Sequence, residues 1–323
     1  MNNFRTWVAN HAVISSVLAE IAVLSLMNLI GLLLSGLLKL AGITISYEYV
    51  SFFLTEFPAA LLSVGALLLV GHQYILKRRT TNFFAGLIPA GYFIVIGIYS
   101  AAVMLLNYGY TQLGEAMGVV YSADNLEAYQ TALTEISSNP EQLIRVFQNI
   151  HIELNPWFEI LAFLTTMLLV GITEEFLFRG VIAELLLKKF GGSKKGIWTA
   201  TLLSGLLFGC AHLINLFAGG GFGVLIQVAV TCFMGMVLTA IYYRTGNIRV
   251  VVFVHAFIDF ASLIVSGFFS GQAGVISTIA SYSPIQLIGT IPYIIVLLVL
   301  LRPKKIVTIP DNMKLQISPK KQS

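Results

Sequence analysis

The chain contains little charge and almost no cysteine. Of its 323 residues only 11% are charged, whereas about 25% is usual for soluble domains. Because 57% of the residues are hydrophobic, this composition excludes an ordinary soluble domain and indicates a polytopic membrane protein. The two cysteines, Cys210 and Cys232, both fall inside apolar runs, where a thiol behaves as a small buried hydrophobe. They therefore give no indication of a disulfide framework.

The sequence also lacks a nucleic-acid-binding motif and any internal repeat. Its net charge of +4 does not indicate nucleic acid, because the basic residues flank apolar runs, as they do beside membrane spans. We therefore expect membrane lipids, and no nucleic acid, among the partners.

Long apolar runs predict the fold class. A transmembrane helix needs about 20 apolar residues. Eight runs qualify, at about 12–38, 57–76, 83–107, 157–187, 196–217, 222–243, 250–269 and 284–301. The sequence thus predicts an all-α membrane protein with about eight transmembrane helices. The first run is too long for the core of a cleaved signal peptide, so we expect it to remain as a helix.

The basic residues predict the orientation. With both termini in the cytoplasm, all but three of the 19 basic residues lie on the cytoplasmic side, among them Lys77, Arg78 and Arg79. This bias follows the positive-inside rule. The expected parts are the first three spans (1–108), an extracytoplasmic loop with amphipathic helices (109–156), a transmembrane core with the last span (157–302) and a basic cytoplasmic tail (303–323).

The loop contains two helix-start signals, of which the first is a capping box formed by Asp124 and Glu127. Asn139 followed by Pro140 is typical of an N-cap and a first-turn proline. Leu143, Ile144 and Phe147 then repeat at helical spacing. We interpret this segment as a helix in the membrane interface, with a lid that admits substrate as the alternative.

The most unusual stretch is GITEEFLFRG at 171–180, which places Glu174, Glu175 and Arg179 inside an apolar run. Each ionisable group at that depth costs about 2.5–3.5 kcal/mol on insertion scales. Residues four apart share a helix face, so Arg179 is expected to pair with Glu175. Glu174 points away from this pair, so we expect it to be the catalytic carboxylate.

Two later spans carry further polar clusters. Phe208, His212 and Asn215 share one face of the fifth span, and His255 and Asp259 are four apart in the seventh. Each histidine could instead have a purely structural role. His212 could donate a hydrogen bond to a carbonyl on the next helix, and His255 could form a bridge with Asp259 that fixes helix packing.

Gly205 and Gly209 form a pair of small residues four apart in the fifth span. Such a pair lets a neighbouring helix approach closely. We expect that approach to bring His212 near Glu174.

These three motifs, in this order on separate apolar runs, resemble the CPBP family of intramembrane proteases, which includes type II CAAX-prenyl endopeptidases and bacterial Abi proteins. The resemblance covers about residues 155–270. It implies an intramembrane glutamic endopeptidase, and we expect no cofactor. Its substrate would be a peptide or protein, with prenylated and exported peptides as candidates. We expect a multi-pass protein of a bacterial plasma membrane.

The resemblance also implies a role for each motif residue. Glu174 and His212 would activate a water molecule, and His255 with the residue at 259 would stabilise the oxyanion. Glu175 and Arg179 would brace the site, with Phe208 and Asn215 as further supporting residues. The family commonly has Asn where this chain has Asp259. Because an ionised aspartate cannot donate a hydrogen bond, we expect Asp259 to orient His255 instead.

Three other functions fit the same residues. Glu174, His212 and His255 are of the types that bind zinc, which allows a metal-dependent form of the hydrolysis. Buried acids and histidines also line the paths of proton-coupled transporters. The departure at Asp259 allows a catalytically inactive membrane scaffold.

Overall fold

The computed structural model describes residues 2–71 and 80–309. Within these ranges the protein is helical, and the one β-bridge joins Leu154 and Phe269. The helices before the core are α1 (Asn2–Asn10), α2 (Ala12–Leu40), α3 (Glu48–Ala66), α4 (Phe83–Met117), α5 (Leu126–Ser137) and α6 (Pro140–Asn149). The remaining helices are α7 (Trp157–Leu177), α8 (Glu184–Phe190), α9 (Lys194–Ala211), α10 (Gly223–Thr245), α11 (Ile248–Ser262), α12 (Ile264–Phe268), α13 (Val275–Ala280), α14 (Thr290–Leu300) and α15 (Pro303–Ile306).

The predicted all-α membrane fold is confirmed, with a smaller number of long spans. Among the described residues six helices are long and apolar enough to cross a membrane. They are Ala12–Leu40, Glu48–Leu69, Phe83–Met117, Trp157–Phe190, Lys194–Leu216 and Gly223–Thr245. The predicted seventh and eighth spans are shorter: α11 has 15 residues, and the last apolar helix is Pro284–Leu300.

The second span begins nine residues earlier than predicted, at Glu48 instead of residue 57. Its first turn is capped from another helix: the buried carboxylate of Glu159 accepts the backbone N–H groups of Tyr49 (2.7 Å) and Val50 (3.1 Å). A negative charge that accepts the free N–H groups of a first turn stabilises a helix start. The apolar pattern alone could not reveal this start, because the cap lies 109 or more positions away in the sequence.

The seventh span stops early because the backbone changes direction at Leu263. Two carbonyls of the next turn accept hydrogen bonds from a side chain: Asn155 Nδ2 donates to Ser266 O (2.9 Å) and Gly267 O (3.2 Å). The hydroxyls of Tyr49 and Ser266 also bond, at 2.6 Å. Irregular backbone at this depth requires such protein partners, because lipid offers none.

The paired glycines of α9 allow α10 to approach closely. A Cβ at Gly205 would collide with Met236, and one at Gly209 would collide with Cys232, both on α10. The close approach predicted from the sequence is therefore present, but it joins α9 to α10 instead of to the helix that carries Glu174. Ser204 and Thr239 add a buried hydroxyl bond between the two helices, at 3.0 Å.

The segment after the third span is helical in part. α4 continues to Met117, ten residues beyond its predicted end at 107. Asn139 caps α6 as predicted, since its side chain accepts the N–H groups of Glu141 and Gln142. Lys77, Arg78 and Arg79 and the tail from residue 310 lie outside the described residues.

Replacing Glu159 with alanine would leave the N–H groups of Tyr49 and Val50 without acceptors. Hydrogen bonds to charged groups contribute about 1.5–3 kcal/mol each, so we expect Glu159→Ala to lower the free energy of unfolding by about 2–4 kcal/mol. Thermal unfolding of the purified protein in detergent measures the loss. Glu153→Ala, at an exposed position nearby, is the control, and equal stability of the two variants would contradict the capping role.

Candidate active site

A buried ion pair forms the base of the site. Arg179 lies in the π-helical turn Phe178–Ala183 that follows α7, and its Nη1 donates to Glu175 Oε1 at 2.7 Å. Its Nη2 donates to the carbonyl of Gly235 on α10 at 3.0 Å, and the guanidinium lies 4.4 Å from the centre of the Phe208 ring. The pair predicted from the spacing is thus present, and both side chains are fully buried.

The same glutamate oxygen fixes the imidazole of His255. His255 Nδ1 donates to Glu175 Oε1 at 2.8 Å, since a carboxylate paired with arginine is an acceptor only. Asp259 instead lies on the other side of the ring, with its Oδ2 3.4 Å from Nε2. The residue that holds the ring through its short hydrogen bond is therefore Glu175, where the sequence led us to expect Asp259.

Glu174 faces a different environment from its neighbour Glu175. Its side chain is 28% exposed whereas that of Glu175 is 0% exposed. Glu174 Oε2 is 3.6 Å from His255 Nε2, too long for a hydrogen bond. This oxygen is itself buried, and among the described residues no donor bonds to it. The carboxylate of Glu174 therefore lines the cavity with hydrogen-bonding capacity that the protein does not use.

His212 follows the end of α9, in the 3₁₀ turn His212–Leu216. Its Nδ1 lies 3.0 Å from the carbonyl of Phe208 on its own helix, so the alternative of a donor to the next helix is wrong. Because a carbonyl only accepts, Nδ1 carries the hydrogen and the lone pair of a neutral ring is on Nε2. Asn215 in the same turn donates to Gln227 Oε1 at 2.9 Å.

One glycine lets the glutamate helix and the histidine helix approach each other. A Cβ added at Gly171 of α7 would lie 2.8 Å from the carbonyl oxygen of Val252 and 3.2 Å from Cβ of Ala256. Both positions flank His255 on α11. The sequence did not single out Gly171, because its partner is distant in the chain.

These residues line one cavity of about 790 Å³. Glu174, His212, Asn215, His255 and Asp259 all contribute to its wall, whereas Phe208 packs edge-on beneath both histidine rings, at 5.4 and 5.6 Å. The structure thus brings the three predicted clusters together. The remaining wall comes from α2, α3, α10 and the segment after residue 274.

The sequence analysis missed one acid in this wall. Glu56 of α3 lines the cavity together with Glu174 and Asp259. The sequence did contain a signal for this residue, because Glu56 is an acid that immediately precedes the predicted second span. The late start that we assigned to that span excluded Glu56 from the membrane.

The arrangement offers no evident metal centre. Within residues 2–71 and 80–309 no group of three or more His, Cys, Asp or Glu side chains is arranged to hold a metal ion. Glu174, His212 and His255, which we considered as zinc ligands, do not form such a group.

The fold and the site define a polytopic helical membrane protein with carboxylates and imidazoles around an internal cavity. Residues 156–261, from α7 to α11, match the family model described as type II CAAX prenyl endopeptidase Rce1-like. The match confirms the resemblance found in the motifs and implies a membrane-embedded protease that acts on a peptide or protein. No curated protein and no solved structure matches the chain.

Removing the charge of Glu175 would leave Arg179 buried without a counter-ion. Breaking a buried pair in this way costs about 3–5 kcal/mol, so we expect Glu175→Gln to lower the unfolding temperature markedly in detergent. Glu115→Gln removes the same charge at the exposed end of α4 and should leave stability unchanged. A Glu175→Gln variant as stable as this control would contradict the bracing role.

Adding a methyl group at Gly171 should separate α7 from α11. Overpacking of this kind costs about 1–3 kcal/mol, so Gly171→Ala is expected to destabilise the protein in the same assay. The matched control is Gly91→Ala in α4, where an added Cβ meets nothing within 4 Å. If both variants unfold alike, the close approach at Gly171 is unimportant.

Proposed function

We propose that the protein is an intramembrane endopeptidase of the glutamic type, in which Glu174 acts as the general base toward a water molecule. The observation that carries this proposal is the partly exposed carboxylate of Glu174, which lines the cavity beside the fixed ring of His255 and has an Oε2 without a donor among the described residues. A carboxylate without a donor of its own can accept the proton of a water molecule as that water attacks a peptide carbonyl.

His212 assists Glu174 in this scheme. The hydrogen bond from Nδ1 to Phe208 fixes its tautomer and leaves the Nε2 lone pair as the acceptor on a cavity-lining side chain. That nitrogen can hold the same water molecule or receive its proton. Asn215 supports the turn through its bond to Gln227.

In this scheme His255 stabilises the negative charge that develops during the reaction. With Nδ1 donating to Glu175, a protonated ring has its second N–H at Nε2, between Glu174 and Asp259. That N–H can donate to the oxyanion that forms on the attacked carbonyl. Asp259, which as a carboxylate has no hydrogen to donate, stabilises the charge of the ring.

Glu175, Arg179 and Phe208 are positioning residues in this scheme. Glu175 bonds both Arg179 and His255, and Phe208 supports the guanidinium and both imidazole rings. Because none of the three is exposed, their effect on the reaction is exerted through the side chains that they hold.

The proposed setting is the plasma membrane of a bacterium, with both termini in the cytoplasm and lipids around the helices. The short basic turns between apolar runs support this orientation. The proposed substrate is a peptide or protein whose cleaved bond enters the cavity from within or beside the bilayer, prenylated and exported peptides included.

Replacing Glu174 with glutamine should abolish peptide cleavage and leave the protein folded, because the amide cannot accept the proton of water. The purified protein and the variant are incubated with a peptide library, and the cut sites are mapped by mass spectrometry. The expected loss of kcat is about 100-fold or more.

Glu115→Gln is the control for the loss of one carboxylate, and thermal unfolding shows whether each variant is folded. Retained turnover in a folded Glu174→Gln variant would remove Glu174 from the mechanism. Absence of cleavage by the unmodified protein across the library would count against the endopeptidase itself.

A further inference from the structure

The cavity is lined by more acidic side chains than basic ones. Glu56, Glu174 and Asp259 line it, and among the described lining residues there is no Lys or Arg. Glu175 does not add to the excess because Arg179 neutralises it. Even a protonated His255 leaves more acids than cations around the space.

Such an excess is unfavourable in a membrane interior. Ionised groups at this depth are stable only when a partner of opposite charge or a set of hydrogen bonds accompanies them. Glu56 shares the wall of this cavity with Glu174 and Asp259, and ionised carboxylates placed together in this way repel one another. A cation brought by a ligand would relieve this repulsion.

A second feature of the wall indicates a polar ligand. Thr166 lies on the cavity side of α7, two turns before Glu174, and is 1% exposed. Its hydroxyl has no hydrogen-bond partner among the described residues, whereas that of the adjacent Thr165 donates to the carbonyl of Leu161. A buried hydroxyl without a hydrogen-bond partner destabilises the protein. A hydrogen bond to a peptide group in the cavity would remove that cost.

We propose that Glu56, together with Asp259, forms a subsite for a basic side chain of the substrate, and that the protein selects peptides with lysine or arginine close to the cleaved bond. The substrate class rests on the proposed peptidase function, while the subsite itself requires only that such a peptide binds in the cavity.

The apolar part of the wall favours a basic side chain over a small cation. Phe52 lies one turn before Glu56 on α3, and Met167 and Val170 face the same cavity from α7. Lysine and arginine have long aliphatic stems that pack on apolar surface while the charged end reaches an acid. Glu56 lies in α3, outside the segment that matches the family, so this selectivity would belong to this chain's own N-terminal helices.

Binding tests the subsite without depending on hydrolysis. The probes are two fluorescent nonapeptides of alanine and leucine with blocked ends, one with a central lysine and one with norleucine in its place. We expect the unmodified protein in detergent to bind the lysine peptide about tenfold or more tightly. Glu56→Gln should remove this preference, Glu56→Asp should retain part of it, and Glu115→Gln should leave it unchanged.

Cleavage tests the same preference in turnover. In a library with lysine, arginine, norleucine and glutamine at every position, cut sites should be enriched for the basic residues, and Glu56→Gln should reduce kcat/KM for basic peptides only. A Glu56→Gln variant that lowers cleavage of all peptides equally would overturn the proposal, as would equal binding of the two probes by the unmodified protein. If neither folded enzyme nor variant cuts any peptide but the binding preference holds, the peptidase function fails and the subsite stands.

Discussion

The site depends on a single carboxylate oxygen that accepts two hydrogen bonds inside the membrane. Glu175 Oε1 bonds Arg179 and His255 at once, and Arg179 in turn reaches the backbone of α10 and the ring of Phe208 on α9. The helices α9, α10 and α11 are thereby linked to α7 through buried groups. Since an uncompensated charge at this depth costs several kcal/mol, the network strongly favours one arrangement of these helices.

The two adjacent glutamates of α7 have different surroundings and different proposed roles. Glu175 points into the protein and is neutralised by Arg179. Glu174, about 100° away around the helix, lines the cavity and has one oxygen without a donor among the described residues. The buried side of α7 therefore fixes the position of the side that lines the cavity. Gly171 completes this arrangement, because the absence of a side chain there allows His255 to approach both acids.

Features that depend on spacing along one helix could be predicted from the sequence, and features that depend on contacts between helices could not. The pairing of Glu175 with Arg179 follows from their separation of four residues, and the N-cap at Asn139 follows from its local motif. The cap from Glu159 to α3, the bond from His255 to Glu175 and the contact of α9 with α10 join distant parts of the chain. An apolar pattern contains no information about which helix will be the neighbour, so these partners were assigned wrongly or missed.

The walls of the cavity come from two parts of the chain with different constraints. α7, α9 and α11 supply the acids and imidazoles of the matched segment, while α2 and α3 supply Asn28, Phe52, Thr55 and Glu56 from outside it. None of these four bonds to the Glu175, Arg179 and His255 network in the described structure. Substitutions in the first helices can therefore alter the size and charge of the cavity while the network of Glu175, Arg179 and His255 keeps its position, so that on the proposed function recognition and chemistry could change independently.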